Sequence, residues 1–176
     1  MNTLTDALEH IAKTSSGTFL VIMRIPININ SIIMTISKVK VNGKINDGFR
    51  TEIGCSHNFV IDQPKAMGGN DEGANPMEVF LSSIPACICA IGRIISNQRR
   101  LNVRGISVDV EGSIDKDFLM GKTEEGRAGF TEIITNVKVD ADMTQEEKEA
   151  FVEEIEKRCP IADNIVSESN LKTNVN

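Results

Sequence analysis

The sequence predicts an α+β domain with antiparallel sheet. Three observations carry that expectation. Residues 17–61 and again 102–139 show strand-like runs broken by turn signals, one long apolar helix starts at Asn75-Pro76, and a charged helix ends at Cys159-Pro160. The resulting order is a β-rich half, a helix, a β pair and a helix. It lacks the strict strand–helix alternation of a doubly wound fold. Residues 1–16 read as an N-terminal helical appendage, with Leu4, Leu8, Ile11 and Ala12 on one face of a helix over 3–14, and 17–176 as a single domain.

In the β-rich half, Lys38 and Lys40 alternate with Val39 and Val41. Asn42-Gly43 and Asn46-Asp47-Gly48 are turn signals, and the first predicts a hairpin. Residues 62–75 form a loop. Asn75 is placed to cap a helix whose first residue is Pro76, a position where the missing N–H is harmless. That helix, 76 to about 97, is apolar nearly all round and so predicts burial on every face. In a chain of 176 residues the sheet can cover one side, and a second subunit is a candidate for the other. Strands follow at 102–112 and 129–139. Thr144 and Glu147 form a capping-box pattern that starts a helix running to Arg158, with Phe151, Val152 and Ile155 as its stripe. Pro160 is expected to end it.

Composition excludes several functions. The net charge is −6, there is no Trp or Tyr, and only seven Phe are present. A base-stacking or phosphate-tracking surface needs aromatics and cations, so no nucleic-acid partner is expected. The stretch 18–36 holds Arg24, Pro26, Asn28 and Asn30 and is too polar to span a bilayer; no membrane partner is expected. The first residues lack the apolar run of a secretory signal, which predicts a cytoplasmic location. Four cysteines there are expected to be reduced, catalytic or inert. Their spacing, with only two His in the chain, is no zinc framework, so neither metal nor cofactor is expected. Asp71 and Glu72 between the glycines at 68, 69 and 73 argue against a phosphate cradle.

Cys87 and Cys159 form a candidate redox pair. Pro85 predicts a kink or restart near Ser83 or Ile84, which would place Cys87 in the first turn of a new helix segment. There the dipole favours a thiolate by roughly 0.3–1 kcal/mol, up to about 2 when partly buried. That is about one pKa unit, and desolvation opposes it, so a cation or hydrogen-bond donor is needed as well. Cys159 follows a helix C-terminus, where the dipole disfavours charge. The asymmetry suits an attacking thiol at Cys87 and a resolving thiol at Cys159. Cys89 lies about 200° round the helix from Cys87 and reads as core. Cys55 and His57 read as structural. Ser83 is one turn before Cys87, where it either bonds the sulfur or back-bonds to its own helix.

Asp62-Gln63-Pro64, Gly68-Gly69, Asn75-Pro76, Glu78, Ala86-Cys87 and Cys159-Pro160 together resemble the OsmC/Ohr family, the osmotically inducible and organic hydroperoxide resistance proteins, over roughly residues 36–175. The resemblance implies the OsmC-like fold as an intertwined homodimer with antiparallel sheet on a long buried central helix. It implies a thiol peroxidase of the oxidative stress response, an antioxidant oxidoreductase acting on organic hydroperoxides or hydrogen peroxide and recycled by an external thiol reductant. Cys87 would be peroxidatic and Cys159 resolving. Arg50 would support the thiolate, with Arg24 as second choice. Family peroxidases carry a Glu directly after Asn-Pro, where this chain has Met77; Glu78 is about 180° from Cys87 on an ideal helix. Glu78 is kept as a catalytic candidate, and Met77, Phe80 and Ser83 as substrate-lining ones. That departure places the chain nearer the OsmC-like branch, where the alternative is a non-enzymatic dimer that binds a small apolar molecule or senses redox state.

Overall fold

The computed structural model describes residues 35–175. The helix expected at 3–14, the strand expected before Ile36, and Arg24 lie outside the described residues. Lys40–Asn176 form one compact unit; residues 35–39 belong to another and are exposed without regular structure. The strand expected from the Lys38/Val39 alternation is therefore not formed. Val39 is 89% exposed, so the alternation has no covered face to match.

Three short strands open the compact unit: β1 (Asn42–Ile45), β2 (Thr51–Gly54) and β3 (Phe59–Ile61). They pair antiparallel in the order β1-β2-β3. Asn42-Gly43 is not the hairpin turn; both residues lie in β1, opposite Gly54 and Ile53. With no strand before it among the described residues, Asn42-Gly43 has nothing to join. The turn falls at the second signal, where Gly48 adopts φ +61° and its N–H donates to the Asp47 carboxylate. Glycine suits that left-handed backbone.

The rest of the unit is built on α1 (Pro76–Arg99) and a long hairpin of β4 (Val103–Ile114) and β5 (Phe130–Ala141), joined by a polar loop that holds the short α2 (Lys116–Leu119). β4 and β5 pair antiparallel, with Val108 opposite Val137. α3 (Gln145–Arg158) and α4 (Pro160–Val166) follow. α1 packs on β4, α3 and α4. Ile84, Ile88 and Ile95 from α1 meet Val103, Val139, Phe151 and Ile155 in the core.

Both predicted caps form. Asn75 accepts N–H bonds from Met77 and Glu78 while Glu78 accepts from Asn75, and Thr144 and Glu147 do the same for α3. α1 does not restart at Pro85: it is one helix of 24 residues with the proline inside. Ile84 and Ile88, 3% and 2% exposed, clamp the chain on either side of the proline. The cap and that packing outweigh one lost hydrogen bond.

α1 is apolar round its girth but not buried round it. Ala86 and Ala90 are exposed, and Phe80 and Ile94 are 44% and 43% exposed. By length and composition alone α1 could cross a bilayer. Its other face is instead the core of this unit.

Candidate functional site

The site forms where α1 passes the junction of α3 and α4. Cys159 is the hinge of that junction: it ends α3 and caps α4. Pro160, expected only to stop a helix, also starts one, because a proline fits the first helical position as well as it fits the residue after the last. The sequence reading therefore placed Cys159 at a negative helix end alone. In the folded chain its Sγ accepts the N–H of Ala162 at 3.4 Å, at the positive end of α4.

Cys87 projects from mid-helix into the same corner. Its thiol lies near enough to Cys159 for each to bear on the other's ionisation, and the Ile161 backbone amide acts on it as well. α1 has no new start beside it, so the dipole help expected from a break at Pro85 is absent; the help comes from the first turn of α4. It does not suffice. Burial pushes the Cys87 thiol up, and the neighbouring Cys159 thiol adds to that, against the lowering by the Ile161 amide. No cation is among the influences on Cys87 within the described residues. All four cysteines are free thiols. Cys87 is half-buried and Cys159 is 1% exposed, so an oxidant entering the corner meets Cys87 first.

The other predicted residues separate from this pair. Glu78 is committed to the α1 cap, its carboxylate 2.8 Å from the Asn75 nitrogen. It sits nine residues before Cys87, about 13 Å along the axis. Ser83 back-bonds to the Phe80 carbonyl at 2.6 Å. Phe80 stacks on Phe130 with centroids 5.8 Å apart, and Met77 is 37% exposed in the first turn. Arg50 precedes β2 and is gripped by Glu52 and Glu72, each at 2.8 Å. Cys89, expected to be core, is half-buried and donates to the Ile106 carbonyl of β4. Cys55 bonds the His57 carbonyl. No group of three or more metal-ligating side chains occurs among the described residues.

Sequence reasoning missed two parts of this arrangement. One is α4, whose signal was Pro160 at a first helical position. The other is Asp62, 1% exposed and bonded to three loop N–H groups. Its signal was an acidic residue just before Gln63-Pro64 at the mouth of a glycine-rich loop.

Fold and site together define an α+β protein with two free thiols brought together, one on the long helix α1 and one at the α3–α4 junction. Residues 68–175 match the OsmC-like protein family, and the chain belongs to it. A hydroperoxide reductase of Mycoplasma genitalium is 22% identical over 120 residues, 68% of this chain and 82% of that one. Among solved structures, an OsmC-like protein from Mycoplasma pneumoniae superposes with a TM-score of 0.64 at 22% identity, covering 80% of this chain and 95% of that one. An organic hydroperoxide resistance protein from Elizabethkingia anophelis gives 0.60 at 18% identity, covering 77% and 93%.

Proposed function

We propose that the chain is a thiol-dependent peroxidase for organic hydroperoxides or hydrogen peroxide. The observation that carries this reading is the placement of the Cys87 thiol on α1 beside Cys159, the hinge of the α3–α4 junction that packs on it. The Cys87 thiolate attacks the outer peroxide oxygen; the O–O bond breaks and the leaving alkoxide takes a proton to give the alcohol. Cys87 is then a sulfenic acid. Cys159 displaces its hydroxyl as water, and the Cys87–Cys159 disulfide forms. An external thiol reduces that disulfide and returns both thiols.

Among the described residues no cation acts on Cys87 to keep it ionised. Arg50 is our candidate, and it adjoins a sheet whose contacts among the described residues run mainly to its own strands and the loop to α1, not to the helices or the β4–β5 hairpin. The apolar face of α1 that carries Phe80 and Ile94 is likewise exposed among the described residues. Both needs are met if the protein works as a homodimer in which each subunit's β1–β3 sheet serves the other. We take the location to be cytoplasmic. Cys87→Ser is expected to abolish consumption of cumene hydroperoxide, and Cys159→Ser to permit one turnover and then stop. Undiminished turnover in Cys87→Ser overturns the reading.

A second reading is favoured by the upward push on Cys87 and by Met77 after Asn75-Pro76: a dimer that binds a small apolar molecule or senses redox state without turning over. The rate at which iodoacetamide labels Cys87 at neutral pH separates the two. Fast labelling supports catalysis; slow labelling supports binding.

A further inference from the structure

The loop between β3 and α1 is wound round one buried carboxylate. Asp62 is 1% exposed and accepts N–H bonds from Gln63 at 2.8 Å, Asn70 at 2.9 Å and Glu72 at 3.2 Å. Burial alone would raise its pKa, but the N–H groups of Gln63, Glu72, Asn70 and Asp71 outweigh it and hold the carboxyl below its ordinary value. The loop has little room to adopt another path. A Cβ on Gly69 would fall 1.9 Å from the Gln63 carbonyl oxygen, and Asp71 takes a left-handed φ of +64°.

Glu72 comes out of this winding fixed at both ends. Its N–H is on Asp62, and its carboxylate is on Arg50 Nε at 2.8 Å. Glu52 holds Nη1 at 2.8 Å, so Nη2 is the guanidinium nitrogen with no bond among the described residues. An ion pair this exposed adds little stability. What the two carboxylates do achieve is a fixed direction for the guanidinium plane, since its donors form a rigid fork.

We propose that Glu72 and Asp62 are positioning residues: Asp62 fixes Glu72 through its backbone N–H, and Glu72 fixes Arg50 with Nη2 turned free for the thiolate of the peroxidase reaction. The carboxylate that orients Arg50 thus comes from the loop ahead of Asn75-Pro76, not from position 77 behind it. This rests on the peroxidase reading for what Nη2 meets, though not for how Arg50 is held.

The test compares Arg50→Met, Glu72→Gln and Asp62→Asn, singly and with each loop variant combined with Arg50→Met. It reads the pH profile of Cys87 labelling by iodoacetamide and the Arg50 Nε–H resonance by NMR. Each single variant is expected to slow labelling at neutral pH by about tenfold, one unit on the thiol's titration. The loop changes should add nothing once Arg50 is Met. In Asp62→Asn the Nε–H signal should lose its protection while circular dichroism stays native. Labelling unchanged in Glu72→Gln and Asp62→Asn, effects that add to Arg50→Met, or an Nε–H signal unmoved in Asp62→Asn each overturn the proposal. A native protein that labels as expected yet consumes no hydroperoxide defeats the peroxidase reading and leaves this one standing.

Discussion

Two regions of this molecule are held together by different forces. The body, α1 with β4–β5, α3 and α4, contains every buried apolar residue of the described chain, from Ile84 to Cys159. The arm, β1–β3 with the loop to α1, has one buried side chain, and it is the carboxylate of Asp62. Ile45, Phe49, Phe59 and Met67 stand 43–53% exposed there. A body that encloses its own core folds by burying apolar surface. An arm of short strands with no such core is shaped by its polar bonds and needs a cover. The thiols sit in the first region and the candidate cation in the second.

The largest expected effect is in the body. Ile155 is 0% exposed, and Ile155→Ala should cost about 2–5 kcal/mol in chemical denaturation. Phe59→Ala, in the arm, is expected to weaken self-association rather than unfold the body; a loss like that of Ile155→Ala would erase the contrast. Gly69→Ala comes next. Its methyl would meet the Gln63 carbonyl, so the loop should open, read as faster amide exchange at Asn70 and Glu72 with the body's exchange unchanged.

Two pH effects are smaller. The Asp62 carboxyl is held below its ordinary value in the folded chain, so its contribution is full above about pH 4 and lost as pH falls below that. Amide exchange in the loop should rise there, and Asp62→Asn should remove the dependence. The Cys87 thiol is raised, so its contribution is full below its ordinary value of 9.0 and lost as pH rises beyond it. Alkaline destabilisation of the reduced protein should be shallower in Cys87→Ala. The smallest effect belongs to the exposed pair Lys157–Glu153, where Glu153→Gln should leave the denaturation midpoint almost unmoved.

The body was legible in the sequence, and the arm was not. Caps at Asn75 and Thr144 are local rules written in adjacent residues, and they fixed the starts of α1 and α3. The alternation of Ile106, Val108 and Val110 gave β4 because a real core lies on one side of it. The alternation at Lys38–Val41 looked the same and gave no strand, since nothing among the described residues covers it. Pro85 misled because tertiary packing at Ile84 and Ile88 overrides a local helix breaker. Pro160 misled because one residue type closes helices and opens them. The Cys87–Cys159 pair was legible as two cysteines in distinctive settings. Its charge balance was not, because Ile161 and Ala162 act through backbone N–H groups that no side-chain pattern announces.

The account stands on the two thiols acting as one unit. The most direct measurement is peptide mass mapping of the reduced protein after one equivalent of cumene hydroperoxide. A Cys87–Cys159 disulfide, with Cys55 and Cys89 still free, is the predicted result. Cys87 carried to sulfinic acid beside an untouched Cys159, or a disulfide through Cys55 instead, would contradict it.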